Sequence, residues 1–382
     1  MDKNNGAIYD ARKLGKPKMI ILGIQHMFAM FGATILVPII TGLDISTTLL
    51  MAGLGTLLFH CITKFKVPAF LGSSFAFLGG YAAIKALAPD DPNSMLPYAC
   101  LGVACAGLVY FILAAIIKAV GIEKVMRFFP PVVTGPIIIA IGLGLAPSAV
   151  SNCTTNWLLA FVALAGIVIF NIWGKGMAKI IPIILGLLIS YGVGLVLYFI
   201  SQANPDLIQN VPWFFSGGAD ANGVYQPIFD FTSVNTICDN IAKGNIFGSE
   251  GLIGIPIHWE QTVFGGIDYS NTALIASSII AIVPIAFATM MEHIGDICAI
   301  SSTTGNNYIQ DPGLHRTLTG DGLATTVASL FGGPANTTYG ENTGVLALTK
   351  VYDPRVIRIA AFFAVGVIML TLQKAVTLLL PL

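Results

Sequence analysis

The segment GGPANTTYGENTGVLALT (332–349) sits among apolar residues, yet it crowds glycine, proline, asparagine, threonine and an acid into one helix-length stretch. A chain so interrupted does not make a plain spanning helix. Polar backbone groups at bilayer depth must be paired, so such a segment survives only where it lines a protected cavity. A second interrupted segment, VPAFLGSSFAFLGG (67–80), lies seven apolar runs earlier. Interruptions at matching positions of two halves point to a binding site at an inverted-repeat interface, and the seven-run offset fits a seven-plus-seven transporter. The same small residues would also let helices pack closely. A half-helix that begins near mid-membrane leaves N–H groups and a positive dipole end unpaired, here near Phe75 and near Gly340. Two such ends would donate to carbonyl or anionic oxygens of a ligand, and glycine at 340 lets backbone approach a planar one.

The rest of the chain agrees with a membrane setting. Of 382 residues, 55% are hydrophobic and only 10% charged, with a mean hydropathy of +0.81. Soluble chains carry about 25% charged residues, so there is too little polar surface to coat a water-soluble globule. Basic and acidic residues cancel at 19 each, which removes the basic footprint of a nucleic-acid binder. Six scattered cysteines without a CxxC pair exclude a disulfide scaffold and give no zinc or redox motif. No nucleophile–base pair suggests an enzyme. A span needs roughly 20 apolar residues, and such runs begin near residues 19, 46, 68, 96, 132, 156, 180, 272, 320, 335 and 356. The expected fold is an all-α polytopic membrane protein of about eleven spans.

Basic residues set the orientation. With a cytoplasmic N-terminus, sixteen of the nineteen lysines and arginines fall inside, and only Lys85, Lys243 and Lys374 fall outside. Residues 201–270, which hold Trp213, Trp259 and Glu260, read as an outer cap. Cys153 and Cys238 both fall on that side and could pair or stay free.

Ionisable residues inside spans are functional by default, because a mid-bilayer charge costs at least about 2.5–3.5 kcal/mol. Three acids stand out: Glu292 and Asp296 in ATMMEHIGDICAI (288–300), and Glu341 in the tenth run. Glu292 and Asp296 are one helical turn apart on a shared face, with His293 turned about 100° away. Carboxylates that close in low dielectric resist double ionisation, so one of them is expected to hold a proton, as in a proton-coupled carrier. Asp296 could alternatively reach a cytoplasmic water layer. EHIGD lacks the H-E-x-x-H zinc spacing, and neither a metal nor another cofactor is expected beyond H⁺ as coupling ion. Gln25 and His26 lie early in the first span, where Ser73 or Ser74 would be natural partners and bracing the natural role.

QHMFAMFGATILVP (25–38), VPAFLGSSFAF (67–77), EHIGD (292–296), DPGLHRTL (311–318) and NTTYGENTGVLALTKVY (336–352) together resemble the nucleobase–cation symporters of the nucleobase–ascorbate transporter family, and within it the bacterial uracil permeases. The likeness covers nearly all of 19–382 apart from the outer insertion. It implies a fourteen-span fold whose third and tenth spans carry short antiparallel strands. A core domain would comprise 1–131 and 271–382, and a gate domain would include 132–200, followed by the extracytoplasmic insertion 201–270. By the resemblance three gate spans would lie beyond residue 382, so a C-terminally truncated fragment that binds uracil weakly at best and does not transport it, or a chain whose missing half comes from another chain, stands as the alternative to an importer.

By the same resemblance, Glu292 and Glu341 accept the ring N–H groups of uracil, and the Phe75 and Gly340 amides donate to its carbonyl oxygens. Tyr339 and Ala33 would line the pocket. Asp296, His293, His26, Ser74 and Asn342 would support it or carry the proton. Purine carriers of the family have Gln at the Glu341 position, which favours uracil here; they also favour Asp at position 296, where uracil carriers have His, which keeps xanthine or another purine base open. The implied protein is a proton-coupled nucleobase importer of the plasma membrane, dimeric through its gate domain. An anion carrier of the related fold would instead place basic residues at the site, and the candidate pocket has none.

Overall fold

The computed structural model describes residues 6–121, 149–175, 182–220, 222–229 and 257–367, with isolated positions between 123 and 178. The apolar run beginning near 132 falls largely outside the described residues, as do Cys238 and with it the Cys153–Cys238 pairing. The fold is mostly helical. Among the described residues, five helices are long and apolar enough to cross a membrane: Lys16–Thr41, Ile45–Ile62, Pro92–Val120, Leu185–Ala203 and Thr272–Thr304, with Trp157–Trp173 a shorter apolar one.

The chain divides into two compact units, one from 1–141 and 255–370, the other from 142–254. The second holds α5 (Trp157–Trp173) packed on α6 (Pro182–Ala203), numbering the helices of at least eight residues through the whole chain. After α6 come two short helices, Asp206–Asn210 and Pro212–Phe215, and a small antiparallel pair, Ser216–Ala219 with Tyr225–Pro227. Asn156 caps α5 by accepting from the Leu159 amide and ties it to this pair by donating to Ser216 O at 2.9 Å.

The first unit contains α1 (Lys16–Thr41), α2 (Ile45–Ile62), β1 (Leu71–Ser73), α3 (Leu78–Lys85) and α4 (Leu96–Val120). It resumes with α7 (Thr272–Ile282), α8 (Ala286–Thr304), α9 (Leu314–Leu330), β4 (Asn336–Thr338), α10 (Gly340–Thr349) and α11 (Pro354–Val367), the pair Ser216–Ala219 and Tyr225–Pro227 of the second unit being β2 and β3. α9 lies against α4 and α2, and α11 against α1 and α2. The α4–α9 crossing is close because glycines meet there. A Cβ on Gly107 would stand 2.7 Å from Gly322 O, and one on Gly322 would stand 2.6 Å from Gly107 O. Small residues permit that backbone approach where lipid offers no hydrophobic drive to hold helices together.

β1 pairs antiparallel with β4, in the register Leu71↔Thr338, Gly72↔Thr337 and Ser73↔Asn336. Strands of three residues leave edge groups that only side chains can satisfy in an apolar interior. Thr56 Oγ1 accepts from Leu71 N at 2.9 Å, His60 Nε2 lies 2.9 Å from Ala69 O, and Thr325 Oγ1 donates to Asn336 O at 2.6 Å. Asn336 Nδ2 donates to Met51 O at 3.0 Å. The polar residues of α2 and α9 thus serve the strand backbones.

The segment before α1 is tied to the far end of the unit. Ile8 N donates to Lys350 O and Tyr352 N to Ile8 O, both at 2.8 Å, while Ala11 N donates to Asp353 Oδ2 at 2.8 Å. Arg355 Nη1 bridges Asp10 Oδ1 and Asp353 Oδ2 at 3.1 and 3.0 Å. A side-chain hydrogen bond from Arg12 holds the Asp10 carboxyl below the usual carboxylate range. Tyr9 OH donates to Thr304 O at 2.7 Å, fastening the end of α8 as well.

Candidate functional site

The candidate site residues named from the sequence all lie in the first unit, on α1, the β1–α3 turn, α8, the β4–α10 junction and α10. α10 begins at Gly340 directly after the extended Tyr339, and no side chain caps its first turn. Among the described residues, no backbone carbonyl outside the helices and strands takes the amide of Phe75 or of Gly340. A Cβ built on Gly340 meets nothing within 4 Å, so open space adjoins that amide. Phe75 is half-buried and Gly340 exposed, while Ala33 and Tyr339 are buried.

Tyr339 is fixed at its hydroxyl, which donates to Ser73 O at 2.9 Å and accepts from Thr34 Oγ1 at 3.3 Å. Ser73 Oγ in turn donates to Thr34 O at 2.9 Å. This knot joins α1, β1 and β4. The expectation that Ser73 or Ser74 braces His26 is not met. His26 is held by α10 instead: Asn342 Nδ2 lies 3.0 Å from His26 O and 3.1 Å from His26 Nδ1. The physical reason is that Ser73 already has acceptors on its own side of α1, while Asn342 offers two hydrogens at once. Ser74 Oγ is buried and, among the described residues, has no hydrogen-bond partner.

On α8, Glu292 and Asp296 are half-buried and His293 is fully buried. Glu292 Oε2 is buried and, among the described residues, has no hydrogen-bond partner. Glu341 is exposed on the first turn of α10, within electrostatic reach of both Glu292 and Asp296. Asp296 Oδ2 accepts from Thr338 Oγ1 at 2.7 Å. His293 is not turned away from Asp296, because its Nδ1 lies 3.4 Å from that same hydroxyl. Residues three apart on a helix are also neighbours, and β4 runs between the two side chains.

A fourth acid belongs to this group and escaped the sequence reading. Asp321 of α9 is 0% exposed and lies 3.4 Å from His293 Nδ1. The available signal was an acid in the ninth apolar run, set between Gly320 and Gly322. Among the described residues no group of three or more His, Cys, Asp and Glu is arranged to hold a metal ion.

This arrangement, donors at two chain breaks and acids on three helices, can be compared with known proteins. A family model described as "Permease family" (Xan_ur_permease) matches residues 17–382. The chain belongs to the permease family. It is 38% identical over 358 residues to the uracil permease of Bacillus caldolyticus, covering 91% of this chain and 70% of that one. To the probable uracil permease of Haemophilus influenzae it is 36% identical over 366 residues, covering 94% and 74%. Its fold is similar to the transmembrane domain of the cyanobacterial bicarbonate transporter BicA, with a TM-score of 0.63 at 13% identity, covering 97% of this chain and 88% of that one. This permease is a multi-pass membrane transporter and not an enzyme.

Proposed function

We propose that the protein takes up uracil together with a proton across the plasma membrane. The observation that carries this reading is the set of amide donors at the two chain breaks, with acids on α8 and α10 in electrostatic reach of one another. The unspent amides of Phe75 and Gly340 suit the carbonyl oxygens of uracil, and Glu292 and Glu341 suit its ring N–H groups. Carboxylates only accept when ionised, so they match the donating edge of the ring. Tyr339 and Ala33 line the space, and Asn342, His26 and Ser74 support it. The names of the relatives support the same substrate class.

In this reading the first unit is the core domain, which binds, and residues 132–200 belong to the gate domain with the outer insertion after them. The core moves against the gate to expose the site alternately to each side. The N-terminus is cytoplasmic, eleven spans belong to a seven-plus-seven inverted repeat, and dimers form through the gate. Asp296 and His293 carry the coupling proton, and no cofactor is required.

The test is uptake of labelled uracil by permease-deficient cells making the protein, between about pH 6 and pH 8, where imidazoles and perturbed carboxylates titrate. Acid-stimulated, protonophore-sensitive uptake that excess unlabelled uracil abolishes is expected. Competition by xanthine in preference to uracil would reassign the substrate, and uptake indifferent to the protonophore would end the coupling claim.

A further inference from the structure

His293 and Asp321 form a buried pair that binding a nucleobase does not require. Both are 0% exposed and 3.4 Å apart. A charge buried this deeply must be paired or neutralised, and among the described residues His293 is the basic group that stands within ion-pair distance of Asp321. Among the described residues, His293 Nε2 and both Asp321 carboxyl oxygens lack a conventional hydrogen bond.

Thr338 connects this pair to Asp296. A hydroxyl has a single proton to give. When Thr338 Oγ1 donates it to Asp296 Oδ2, at 2.7 Å, it can only accept from His293 Nδ1, at 3.4 Å. Nδ1 must then carry a hydrogen, with Asp321 Oδ2 standing 3.4 Å from the same nitrogen. When Asp296 is protonated, the chain reverses: Asp296 donates to Thr338, and Thr338 donates to a bare Nδ1.

We propose that the Thr338 hydroxyl relays a proton from Asp296 to His293, where Asp321 holds it as an ion pair away from the ligand space. This rests on the proton-coupled reading above. In the step, the O–H bond of Asp296 breaks as one forms on Thr338 Oγ1, and the original Thr338 O–H breaks as an N–H bond forms at His293 Nδ1. Asp296 is left ionised and accepting, His293 is an imidazolium, and Asp321 stays ionised beside it. The proton count is unchanged and no other reactant is needed.

The surroundings of the pair leave few competing groups. α9 contributes Asp321, α10 contributes Glu341, and α8 itself contributes Glu292 and Asp296. α4 contributes Tyr110, whose hydroxyl donates to Thr289 Oγ1 at 2.6 Å. β4 offers only the Thr338 hydroxyl. α2 sets the Phe59 ring edge-on to His293 at 6.2 Å, and its His60 is engaged with Ala69 O. Asp311, on the turn before α9, is paired with Lys66.

The test compares purified full-length protein with Thr338→Val, Thr338→Ser and Asp321→Asn, reading uracil affinity against pH and protons exchanged per uracil bound with an indicator dye. Valine keeps the shape of threonine and suits a strand. Thr338→Val and Asp321→Asn are each expected to lose the stored proton, flattening the pH dependence, while Thr338→Ser keeps the wild-type slope. Thr338→Val also removes a donor to Asp296, which displaces the titration; Asp321→Asn leaves that bond in place, so loss of slope there isolates the store. Should either variant fail to fold, the other carries the test. A wild-type slope in Asp321→Asn or Thr338→Val overturns the relay and leaves proton coupling standing. Equal weakening at every pH, the mark of a structural role, also overturns it. A wild-type protein with no pH dependence and no proton exchange removes the coupled reading itself.

Discussion

Replacing Asn342 by aspartate changes almost no volume but inverts the hydrogen bonding of a buried joint. Asn342 is 1% exposed, and its Nδ2 supplies hydrogens to His26 O and His26 Nδ1 at 3.0 and 3.1 Å. An ionised carboxylate has no hydrogen to give, so two donor–acceptor contacts become acceptor–acceptor contacts. Leaving a buried acceptor unmet costs about 1–3 kcal/mol, which puts the pair at about 2–6 kcal/mol. The lower half of that range is the expectation, because Asn342 Oδ1 is already buried without a partner and its replacement adds little on that side. A shift of about 2–4 °C per kcal/mol gives an apparent Tm lowered by at least about 4 °C, read by size-exclusion fluorescence after heating in detergent. The sign with pH is fixed by the same chemistry. Protonated aspartate regains one donor, so Asn342→Asp should recover part of the loss as pH falls, while Asn342→Ala should not. An Asn342→Asp protein as stable as wild type near pH 8 would refute the assigned hydrogen-bond directions.

Glu341→Gln replaces a pure acceptor with an amide that also donates, so uracil affinity should fall and preference shift toward purines; equal uracil affinity in titrations of the two purified proteins would sink this. Gly340→Val fills open space beside the α10 amide, so uracil binding should be lost with little change in Tm, and retained affinity would mean the ligand does not approach there. Gly107→Leu must force α4 from α9, where even a Cβ stands 2.7 Å from Gly322 O. Overpacking of this kind costs about 1–3 kcal/mol or more, and thermal melts of the variant should show it.

The sequence shows plainly what is local. Span-length runs become α1, α2, α4 and the α7–α8 pair because apolar length is a property of neighbouring residues. The breaks at 67–80 and 332–349 enclose β1 and β4. Which residues meet across the fold is not local. His26 finds Asn342 instead of a serine because helix rotation, invisible in the chain, decides which face it presents. Asp321 hides in LTGDGLATT (318–326), where glycines and threonines dilute the apolar signal that would mark a buried acid. Glu292, Asp296 and Glu341 were legible because each acid follows a clearly apolar stretch or a clear interruption.

The β1–β4 pairing also bears on how the protein is made. Ser73 and Tyr339 meet at a hydrogen bond yet stand 266 residues apart. At synthesis rates of about 5–20 residues per second, tens of seconds pass between their leaving the ribosome. Throughout that interval β1 has entered the bilayer without its partner strand, and the intervening unit of 142–254 is built first. The nascent chain must keep Leu71–Ser73 hydrated or otherwise shielded until β4 arrives. Early folding of this permease is therefore expected to stall at a half-formed core, which makes it a natural client for insertion machinery that shelters polar backbone.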